Sequence, residues 1–383
     1  MKLAIVAGEA SGDLHASEVV QELKRLDPAL VTFGIGGDLL AAEGMTLLHH
    51  AKEMGIVGLF NVLRHLRMFR RIFEELIARL ERERPDGVLL VDYPDFNLRV
   101  AKKCRELGIK VIYYISPQVW AWRRGRVKQI AARVDRMLVL FPFEEAFYRE
   151  HGVPVTYVGH PLIDELADVR KENVGPALSR PSINGSIGPA ESRPYMLRIA
   201  LLPGSRKGEV ESLLPPMLEA IAVLRREQDV DATLVQAPTI AREQLERLAR
   251  DADVRIVAHR EGQSIADADI ALSSSGTATL ECAVVGTPVV VMYRLTPATH
   301  WLARKLVKLP YFSLVNIIAG KEVVPELLQQ EVNGRRIAEE VWKLADPERY
   351  AAVVRELEEV RRMLGGPGAS RRAAEAIMSV LRK

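Results

Sequence analysis

The chain of 383 residues lacks several features that would mark a specialised class of protein. Its two cysteines, Cys104 and Cys282, lie far apart and outside any C-x-x-C pair, which argues against a disulfide framework and a cysteine-based zinc site. No uncharged apolar run reaches the about 18 residues that would span a bilayer. The apolar start stops at Gly8 and Glu9, without the pattern of a secretory signal. We therefore expect a cytoplasmic protein.

The chain also has little excess of charge of either sign. Its net charge is +3 at pH 7, too small to imply a nucleic-acid partner, and we expect none. The chain is rich in hydrophobic residues, which make up 48% of it, whereas 27% of the residues are charged. This composition is typical of a globular protein, and the length favours two domains, each with its own core.

Short apolar runs alternate along the chain with longer segments of helical period. The first half contains "LAIVAG", "VTFGIGG", "GVLLVDYP", "KVIYYISP", "RMLVLFPF" and "VTYVGHP"; the second contains "RIALLPGS", "DATLVQAP", "VRIVAH", "IALSSSG" and "TPVVVMYR". Continuous hydrophobicity is typical of strands buried on both faces of a parallel sheet. The pattern predicts an α/β protein with two doubly wound, Rossmann-like domains.

The boundary between these domains is a Gly-, Pro- and Ser-rich segment, residues 171–197, which we interpret as a linker or mobile loop. It separates a first domain at 1–170 from a second at 198–364, and we expect a helix at about 365–383 to return to the first domain. Open α/β sheets bind ligands at the carboxyl ends of their strands. We therefore predict two domains facing a cleft, with one substrate bound to each.

The second domain opens with "ALLPGSRKGEVE", in which Gly204 follows a strand and Ser205 stands where a helix N-cap is expected. Backbone N–H groups at such a turn can hold phosphate oxygens, and Arg206 can add a charged fork. Glu209 and Glu211 would repel a phosphate if they pointed inward. A plain strand-to-helix turn with an exposed arginine is the alternative.

A second small-residue turn follows in "DIALSSSGTATLE", where Ser275, Gly276 and Thr277 would let a ligand approach the backbone closely. Glu281 falls one turn into the following helix, where its carboxylate can accept hydrogen bonds from a ribose diol. The alternative for Glu281 is a favourable interaction with the helix dipole. Together the two turns predict a nucleotide site.

For acid–base chemistry, "VDYPDFN" offers Asp92 and Asp95 after the apolar run "GVLLV". Asp92 follows the strand directly and should lie at the mouth of the sheet, so we predict that it is a general base, with a structural role as the alternative. Glu9 in "AGEASGD" is the second candidate. Further candidates for contact with an acceptor or the cleft are Ser11, Gly12 and Asn97. With Asp92 as the base, Asp95 and Asn97 could instead shape the turn or orient the base.

These motifs, with "YYISPQVWAWRRGR", "FPFEEAFY", "VGHP" and "YFSLVNIIAG", resemble the lipid-A-disaccharide synthase family of GT-B glycosyltransferases from about residue 3 to 375. The resemblance implies transfer of a sugar from UDP-2,3-diacylglucosamine to the 6-hydroxyl of 2,3-diacylglucosamine 1-phosphate (lipid X), with inversion, giving lipid A disaccharide 1-phosphate and UDP. It also favours Asp92 as the base and places Asn316 at the cleft, although an Asn before a helix is often only its N-cap. The linker is longer and richer in Gly and Pro than expected for the family.

No H-x-x-x-H pair occurs, and GT-B enzymes generally need no metal, so we expect neither metal nor cofactor. Arg206 and helix amides would balance the charge of UDP. His160 in "VGHP" is more typical of a structural histidine than of one that contacts substrate. The "WAWRRGR" motif contains Trp120, Trp122, Arg123, Arg124 and Arg126. Its aromatic faces could contact a sugar or an acyl chain, and its arginines could bind the acceptor phosphate. The alternative is an interdomain loop that packs its two aromatic rings.

Acylated substrates would require a surface for an anionic inner membrane, and two segments are candidates. The first is a basic amphipathic helix with an apolar stripe at Leu59, Val62, Leu63, Leu66, Phe69, Phe73, Leu76, Ile77 and Leu80, with Met68 and Ile72 off the stripe and Arg64, Arg67, Arg70 and Arg71 beside them. The second is "HWLARKLVKLPYF", with Trp301, Tyr311, Arg304, Lys305 and Lys308. Packing of the first helix on the core, or a homodimer, would cover these surfaces instead.

Three other functions stay open on the sequence. Another GT-B enzyme, such as a UDP-N-acetylglucosamine 2-epimerase or a transferase with a polyprenyl acceptor, would share the fold. A nucleotide-sugar-binding regulator without turnover would share the second domain. A base opposite a diphosphate site would be unnecessary in such a regulator, which favours an enzyme.

Overall fold

The computed structural model describes residues 1–54, 62–120, 124–169, 196–259, 262–295 and 310–382. The chain divides into two compact units. The first unit comprises Met1–Pro161 and Leu364–Lys383, and the second comprises Leu162–Met363. Trp122, Arg123, Leu59, Trp301, Arg304, Lys305, Lys308 and nearly all of the predicted linker lie outside the described residues.

Each unit contains a parallel sheet. Among the described residues of the first unit, seven strands pair in the order β3-β2-β1-β4-β5-β6-β7. They are β1 (Lys2–Ala7), β2 (Val31–Gly36), β3 (Thr46–His50), β4 (Gly87–Val91), β5 (Lys110–Tyr114), β6 (Arg136–Val139) and β7 (Val155–Tyr157). In the described part of the second unit, six strands pair in the order β10-β9-β8-β11-β12-β13. They are β8 (Leu197–Leu202), β9 (Val230–Gln236), β10 (Arg255–Ala258), β11 (Ile270–Ser274), β12 (Val289–Tyr293) and β13 (Glu326–Leu328).

Helices connect these parallel strands, as the crossover geometry requires. In the first unit they are α1 (Ala10–Leu26), α2 (Asp38–Ala42), α3 (Ala51–Met54), α4 (Val62–Glu83), α5 (Pro94–Glu106), α6 (Val127–Arg133) and α7 (Pro142–Glu150). In the second unit they are α8 (Leu162–Glu165), α9 (Lys207–Leu224), α10 (Arg242–Leu248), α11 (Gln263–Ala266), α12 (Thr277–Val285), α13 (Leu314–Ala319), α14 (Gly334–Ala345) and α15 (Pro347–Met363). The predicted class of two Rossmann-like α/β domains is confirmed.

The last helix, α16 (Ala369–Leu381), belongs to the first unit, as the sequence predicts. It packs against α1, where the Ser370 hydroxyl lies 3.1 Å from a Glu18 carboxylate oxygen. The Lys110 ammonium, at the start of β5, donates to the Val380 carbonyl at 2.9 Å. These contacts fix the end of the chain onto the unit in which it began.

Both sheets have the same point of topological reversal. In the first unit the chain runs outward from β1 through β2 and then returns to β4 on the other side of β1; in the second, β8 and β11 have this relation. The loops that leave two such neighbouring strands diverge to opposite faces of the sheet, and the crevice between them is where α/β sheets bind ligands. Glu9 and Asp92 follow the strands at this point in the first unit, and Gly204 and Ser275 do so in the second.

Helix α4 packs on the core of the first unit more extensively than the sequence indicates. Leu76 and Leu80 are fully buried, and Ile72 is buried with them at 1% exposure. Met68 is half-buried and packs against the same cluster. The prediction that Met68 and Ile72 lie off the buried stripe is therefore wrong, because the helix buries a face wide enough to include them.

The exposed side of α4 is charged. Arg70 and Arg71 form ion pairs with the glutamates one turn later, Glu74 and Glu75, at 2.7 and 2.6 Å. Such exposed pairs stabilise a helix only weakly, because the surrounding water screens their attraction. None of the described helices combines the length and the apolar composition that a membrane span requires.

Candidate active site

A cavity of about 770 Å³ opens beside the carboxyl ends of β1 and β4 in the first unit. Its lining combines carboxylates, arginines and aromatic rings: Glu9, Phe69, Arg70, Phe73, Asp92, Tyr93, Pro94, Asp95, Phe96 and Arg99. The Phe73 and Phe96 rings meet edge to face with their centroids 5.9 Å apart. A cavity with an apolar wall and several charged groups can accommodate an amphiphilic ligand.

Asp92 and Tyr93 leave β4 through a strained turn. Both have left-handed backbone geometry, with φ of +44° and +46°. The turn is held from several sides: the Asp92 N–H donates to the Tyr114 carbonyl at 3.1 Å, and the Asp92 carbonyl accepts from the Asn97 amide at 2.8 Å and from the Tyr113 hydroxyl. Left-handed geometry in a residue other than glycine costs about 1–3 kcal/mol, and such strain is concentrated at functional sites.

The environment of Asp92 makes its carboxylate more basic than that of an ordinary aspartate. Burial, and next the negative charge of Glu9, raise the pKa of Asp92 to about 6. Asp95 lines the same cavity, but its side chain is 75% exposed and forms an ion pair with Arg126. The two carboxylates of "VDYPDFN" therefore differ: Asp92 is half-buried with a raised pKa, whereas Asp95 is exposed and paired.

The "GEASGD" motif contributes one side chain to this cavity. Glu9 is exposed at the N-cap of α1 and lines the cavity, whereas Ser11 is exposed and is not among the lining residues. Gly12 is buried, and a Cβ there would lie 3.6 Å from the side chains of Ala7 and Val91. Asp13, which the sequence did not single out, accepts hydrogen bonds from the backbone N–H groups of Gly37, Leu39 and Leu40 at 2.6–3.3 Å and so caps α2.

Two of the predicted contact residues are buried and act within the protein. Asn97 is 0% exposed, and its amide donates to the carbonyls of Val91 and Asp92 at 3.1 and 2.8 Å. Direct contact with an acceptor does not fit this position; Asn97 instead holds the turn that carries Asp92. The sequence had also allowed Asn97 an orienting role.

Trp120 is likewise part of the interior. Its indole N–H donates to the Glu144 carboxylate at 3.1 Å, and its ring meets Phe143 edge-on with centroids 4.9 Å apart. The Ser116 hydroxyl binds the same carboxylate, and burial raises the pKa of Glu144 to about 7. The predicted sugar contact through the Trp120 ring face is therefore not supported, since only 6% of the residue is exposed.

His160 is buried beside Phe141, with ring centroids 5.5 Å apart. Burial lowers the pKa of His160 to about 3, so the ring is neutral at physiological pH. This is the structural role that the sequence favours for it.

The second unit has a cavity of about 330 Å³ at the carboxyl ends of β8 and β11. Its lining contains the predicted Gly204, Ser205, Arg206, Ser275, Gly276, Thr277 and Glu281, and also Leu202, Glu209, Val235, Ala237, Pro238, His259, Ser274 and Ala278. Both α9 and α12 begin at this cavity. The first N–H groups of a helix have no intrahelical partner and carry a partial positive charge, so two helix starts favour an anionic ligand here.

The first turn of this cavity needs a glycine. Gly204 has a φ of +119°, and a Cβ at this position would lie 2.6 Å from a Glu209 carboxylate oxygen. Helix α9 has its N-cap at Arg206, one residue after the predicted Ser205, because the extended backbone continues through Arg206. The Arg206 guanidinium is 81% exposed and pairs with Glu209 at 2.8 Å.

The second turn carries the carboxylate predicted to bind a ribose. Gly276 is the N-cap of α12 and supplies no side-chain cap, and the neighbouring Ser275 hydroxyl donates to the Phe312 carbonyl at 3.2 Å. Glu281 is 9% exposed, and one of its oxygens lies 2.7 Å from Nε2 of His259. Sequence reasoning missed His259, although its position directly after β10 in "VRIVAH" was an available signal.

The Asn316 side chain is not available to contact a substrate. It is 0% exposed: its amide donates to the Val324 carbonyl and Glu326 carboxylate, and its oxygen accepts the N–H groups of Val323 and Val324, all at 2.8–3.0 Å. The predicted place at a substrate cleft is therefore not supported. The N-cap of α13 is Ser313, whose hydroxyl accepts the Asn316 N–H. Asn316 joins α13 to the segment that enters β13.

Solved structures share this fold at low sequence identity. The chain is similar to the UDP-GlcNAc 2-epimerase of Neisseria meningitidis bound to UDP-GlcNAc, with a TM-score of 0.63 and 14% identity over 99% of this chain and 100% of that one. It is also similar to MurG of Acinetobacter baumannii, with a TM-score of 0.59 and 14% identity over 99% of both chains. At these identities the likeness shows the GT-B fold alone.

Relatives that match by sequence identify the family as well as the fold. The chain is 41% identical to the lipid-A-disaccharide synthase of Myxococcus xanthus over 99% of this chain and 97% of the relative. It is 42% identical to that of Anaeromyxobacter dehalogenans over 100% of this chain and 98% of the relative. The family model for lipid-A-disaccharide synthetase matches residues 3–379. The chain therefore belongs to the lipid-A-disaccharide synthetase family.

Proposed function

We propose that the enzyme condenses UDP-2,3-diacylglucosamine with 2,3-diacylglucosamine 1-phosphate (lipid X) to give lipid A disaccharide 1-phosphate and UDP. Family membership over residues 3–379 makes it a hexosyltransferase of lipid A biosynthesis. It also favours this reaction over epimerisation, because the likeness to epimerases is one of fold. The observation that supports the proposal most is the pair of cavities at the carboxyl ends of the two sheets, one with a basic carboxylate and one with anion-binding groups.

In this proposal Asp92 accepts the proton of the acceptor 6-hydroxyl as its oxygen attacks the anomeric carbon of the donor. The pKa of about 6 leaves Asp92 mostly ionised at neutral pH and makes it a stronger base than an exposed aspartate. Asn97 and Tyr113 hold the carbonyl of Asp92 and so orient the residue. Glu9 contributes its negative charge, and Phe69 and Phe73 of the cavity wall provide apolar surface for an acyl chain.

The leaving diphosphate is received by the second cavity. The N–H groups at the starts of α9 and α12 and the guanidinium of Arg206 stabilise the negative charge that develops on UDP. Glu281 binds the ribose diol, and its hydrogen bond to His259 holds the carboxylate in place. We expect no metal or other cofactor to be needed, so turnover should persist in the presence of a chelator.

The acylated substrates imply access to the cytoplasmic face of the inner membrane, and we propose peripheral association with its anionic lipids. The exposed arginines near the start of α4 support this assignment: Arg67, Arg70 and Arg71. Two of the three are paired with glutamates, which weakens their attraction to a membrane. Co-sedimentation with anionic and neutral vesicles, using a variant with these arginines changed to glutamine, tests this part separately.

The direct test of the reaction is incubation of the purified protein with UDP-2,3-diacylglucosamine and lipid X in mixed micelles containing chelator. The proposal predicts equal amounts of UDP and disaccharide 1-phosphate, each dependent on the acceptor. UDP release without disaccharide, or conversion of UDP-N-acetylglucosamine without an acceptor, would contradict it.

A further inference from the structure

An anion supplied by the chain already occupies the phosphate-binding groups of the second cavity. One Glu209 carboxylate oxygen accepts the backbone N–H of Ser205 at 3.3 Å, and the other pairs with the Arg206 guanidinium at 2.8 Å. The same carboxylate lies against Gly204, where a Cβ would come within 2.6 Å of it. Glu209 thus contacts the turn N–H and the cation that would receive a diphosphate.

We propose that Glu209 is an internal competitor for the diphosphate subsite, which weakens the binding of UDP and speeds its release. This inference rests on the proposed function, because it assumes that the second cavity binds UDP. The Glu209 carboxylate and a ligand diphosphate require the same donors, and both are negatively charged. Binding therefore separates Glu209 from Arg206 and Ser205, or else places like charges close together.

The position of Glu209 explains why this carboxylate is the relevant one. It is the third residue of α9, from where its side chain reaches back to the residue before the N-cap. Glu211, two residues further along, is exposed, faces Lys207 at 4.0 Å and is not among the cavity lining. The two glutamates share one helix and one charge, so Glu211 is a matched control.

A competitor for phosphate has a recognisable signature, because its effect must grow with the charge of the ligand. Uridine carries no phosphate and leaves Glu209 in place, UMP carries one phosphate, and UDP carries two. Removing the Glu209 charge should therefore leave uridine binding unchanged and improve UDP binding most. A residue that merely orients Arg206 would give the opposite sign, since its loss would weaken UDP binding.

The test is calorimetric titration of the wild type, Glu209→Gln, Glu209→Ala and Glu211→Gln with uridine, UMP and UDP. We expect UDP to bind about fivefold or more tightly to both Glu209 variants, the size expected for removing one like charge in a solvated site. UMP should gain less, and uridine affinity and all Glu211→Gln affinities should stay as in the wild type. The alanine variant separates the loss of charge from any new hydrogen bond that glutamine donates.

Unchanged or weaker UDP binding in both folded Glu209 variants would overturn the inference while leaving the proposed nucleotide site intact. If the wild type and both Glu209 variants bind UDP no better than uridine, the result would instead contradict the diphosphate site itself. Stopped-flow displacement of UDP provides the kinetic counterpart, with slower release expected from the Glu209 variants and an unchanged rate from Glu211→Gln.

Discussion

The two units share the strand order around the point of topological reversal and differ in the side chains that follow the strands there. In the first unit the loops after β1 and β4 carry Glu9 and Asp92, and non-glycine residues adopt left-handed geometry. In the second unit the loops after β8 and β11 carry glycine, serine and threonine together with Arg206. Two helices begin at the cavity in each unit, so the difference lies in these side chains. The shared topology places a cavity at the same point of each sheet, and the loop residues give the two cavities different side chains. In our proposal, one cavity supplies a base and the other binds an anion.

The largest predicted effect on the difference between the two units comes from substituting Asp92. Asp92→Asn should lower kcat by about 10²- to 10⁴-fold, the range expected for loss of a general base. Asparagine tolerates left-handed backbone, and the variant removes a buried charge, so thermal unfolding at pH 8 should occur no earlier than in the wild type. Rate measurements with saturating donor and acceptor provide the check.

The control for this variant is Asp95→Asn, which changes an exposed carboxylate in the same cavity. It should retain activity within a few-fold of the wild type. Equal losses in the two variants would show that the cavity needs negative charge in general and not a base at Asp92.

Arg206 is the corresponding test in the second unit. A hydrogen bond to a charged group contributes about 1.5–3 kcal/mol, so Arg206→Ala should weaken UDP binding by about 10- to 100-fold. The neighbouring Lys207, which faces Glu211 outside the cavity lining, is the matched control, and Lys207→Ala should bind UDP normally. Similar losses for both variants in calorimetry would indicate a diffuse charge effect and no specific diphosphate contact.

His259 should have a smaller effect, confined to the ribose. If it holds Glu281 in place for the diol, His259→Ala should weaken UDP binding by about fivefold, within the 0.5–1.5 kcal/mol of one hydrogen bond. Binding of 2′-deoxy-UDP should change much less, because that ligand has no complete diol to bind. Proportional losses for both ligands would assign His259 to general packing of the cavity.

The smallest predicted effect is a change in pH dependence. Because Asp92 must be ionised to act as a base, kcat/KM should decrease as the pH is lowered through the Asp92 pKa of about 6. Glu9→Gln removes the negative charge that raises this pKa and should move the acidic limb to lower pH, though not to the ordinary value of 3.8, since burial is the larger cause. A limb that does not move would mean that Asp92 and Glu9 are uncoupled.

The same shift has a consequence for stability. The folded pKa of Asp92 lies above its ordinary value of 3.8, so the native state favours the protonated form. The contribution of this residue to stability is therefore greatest below pH 3.8 and is lost as the pH rises through about 6. Asp92→Asn should abolish this part of the pH dependence in chemical denaturation.

The sequence predicted the buried strands and the turns that follow them, because these depend on local patterns. "GVLLV" and "IALSS" are continuous apolar or small-residue runs, and each is followed by the loop that carries the site. Of the four edge strands among the described residues, β7 and β10 were predicted and β3 and β13 were missed. The missed strands read "TLLHH" and "ELL", which are short and partly polar, as edge strands often are.

What the sequence could not predict depends on residues that are distant along the chain. Trp120 points inward because its indole N–H donates to Glu144 and its ring packs against Phe143. All the hydrogen bonds described above for the Asn316 side chain are made with the segment at 323–326. Neither local spacing nor residue type reveals these partners. Glu209 was predicted to repel phosphate if it pointed inward, and only the structure shows that it lines the cavity and pairs with Arg206.

The most direct test of the central claim, that the two units divide the base and the nucleotide site between them, is UDP calorimetry on Asp92→Asn and Arg206→Ala together with turnover. We predict that Asp92→Asn binds UDP with wild-type affinity while its kcat falls by about 10²- to 10⁴-fold, whereas Arg206→Ala loses UDP affinity. If Asp92→Asn loses UDP affinity as strongly as Arg206→Ala, the division between the units is contradicted.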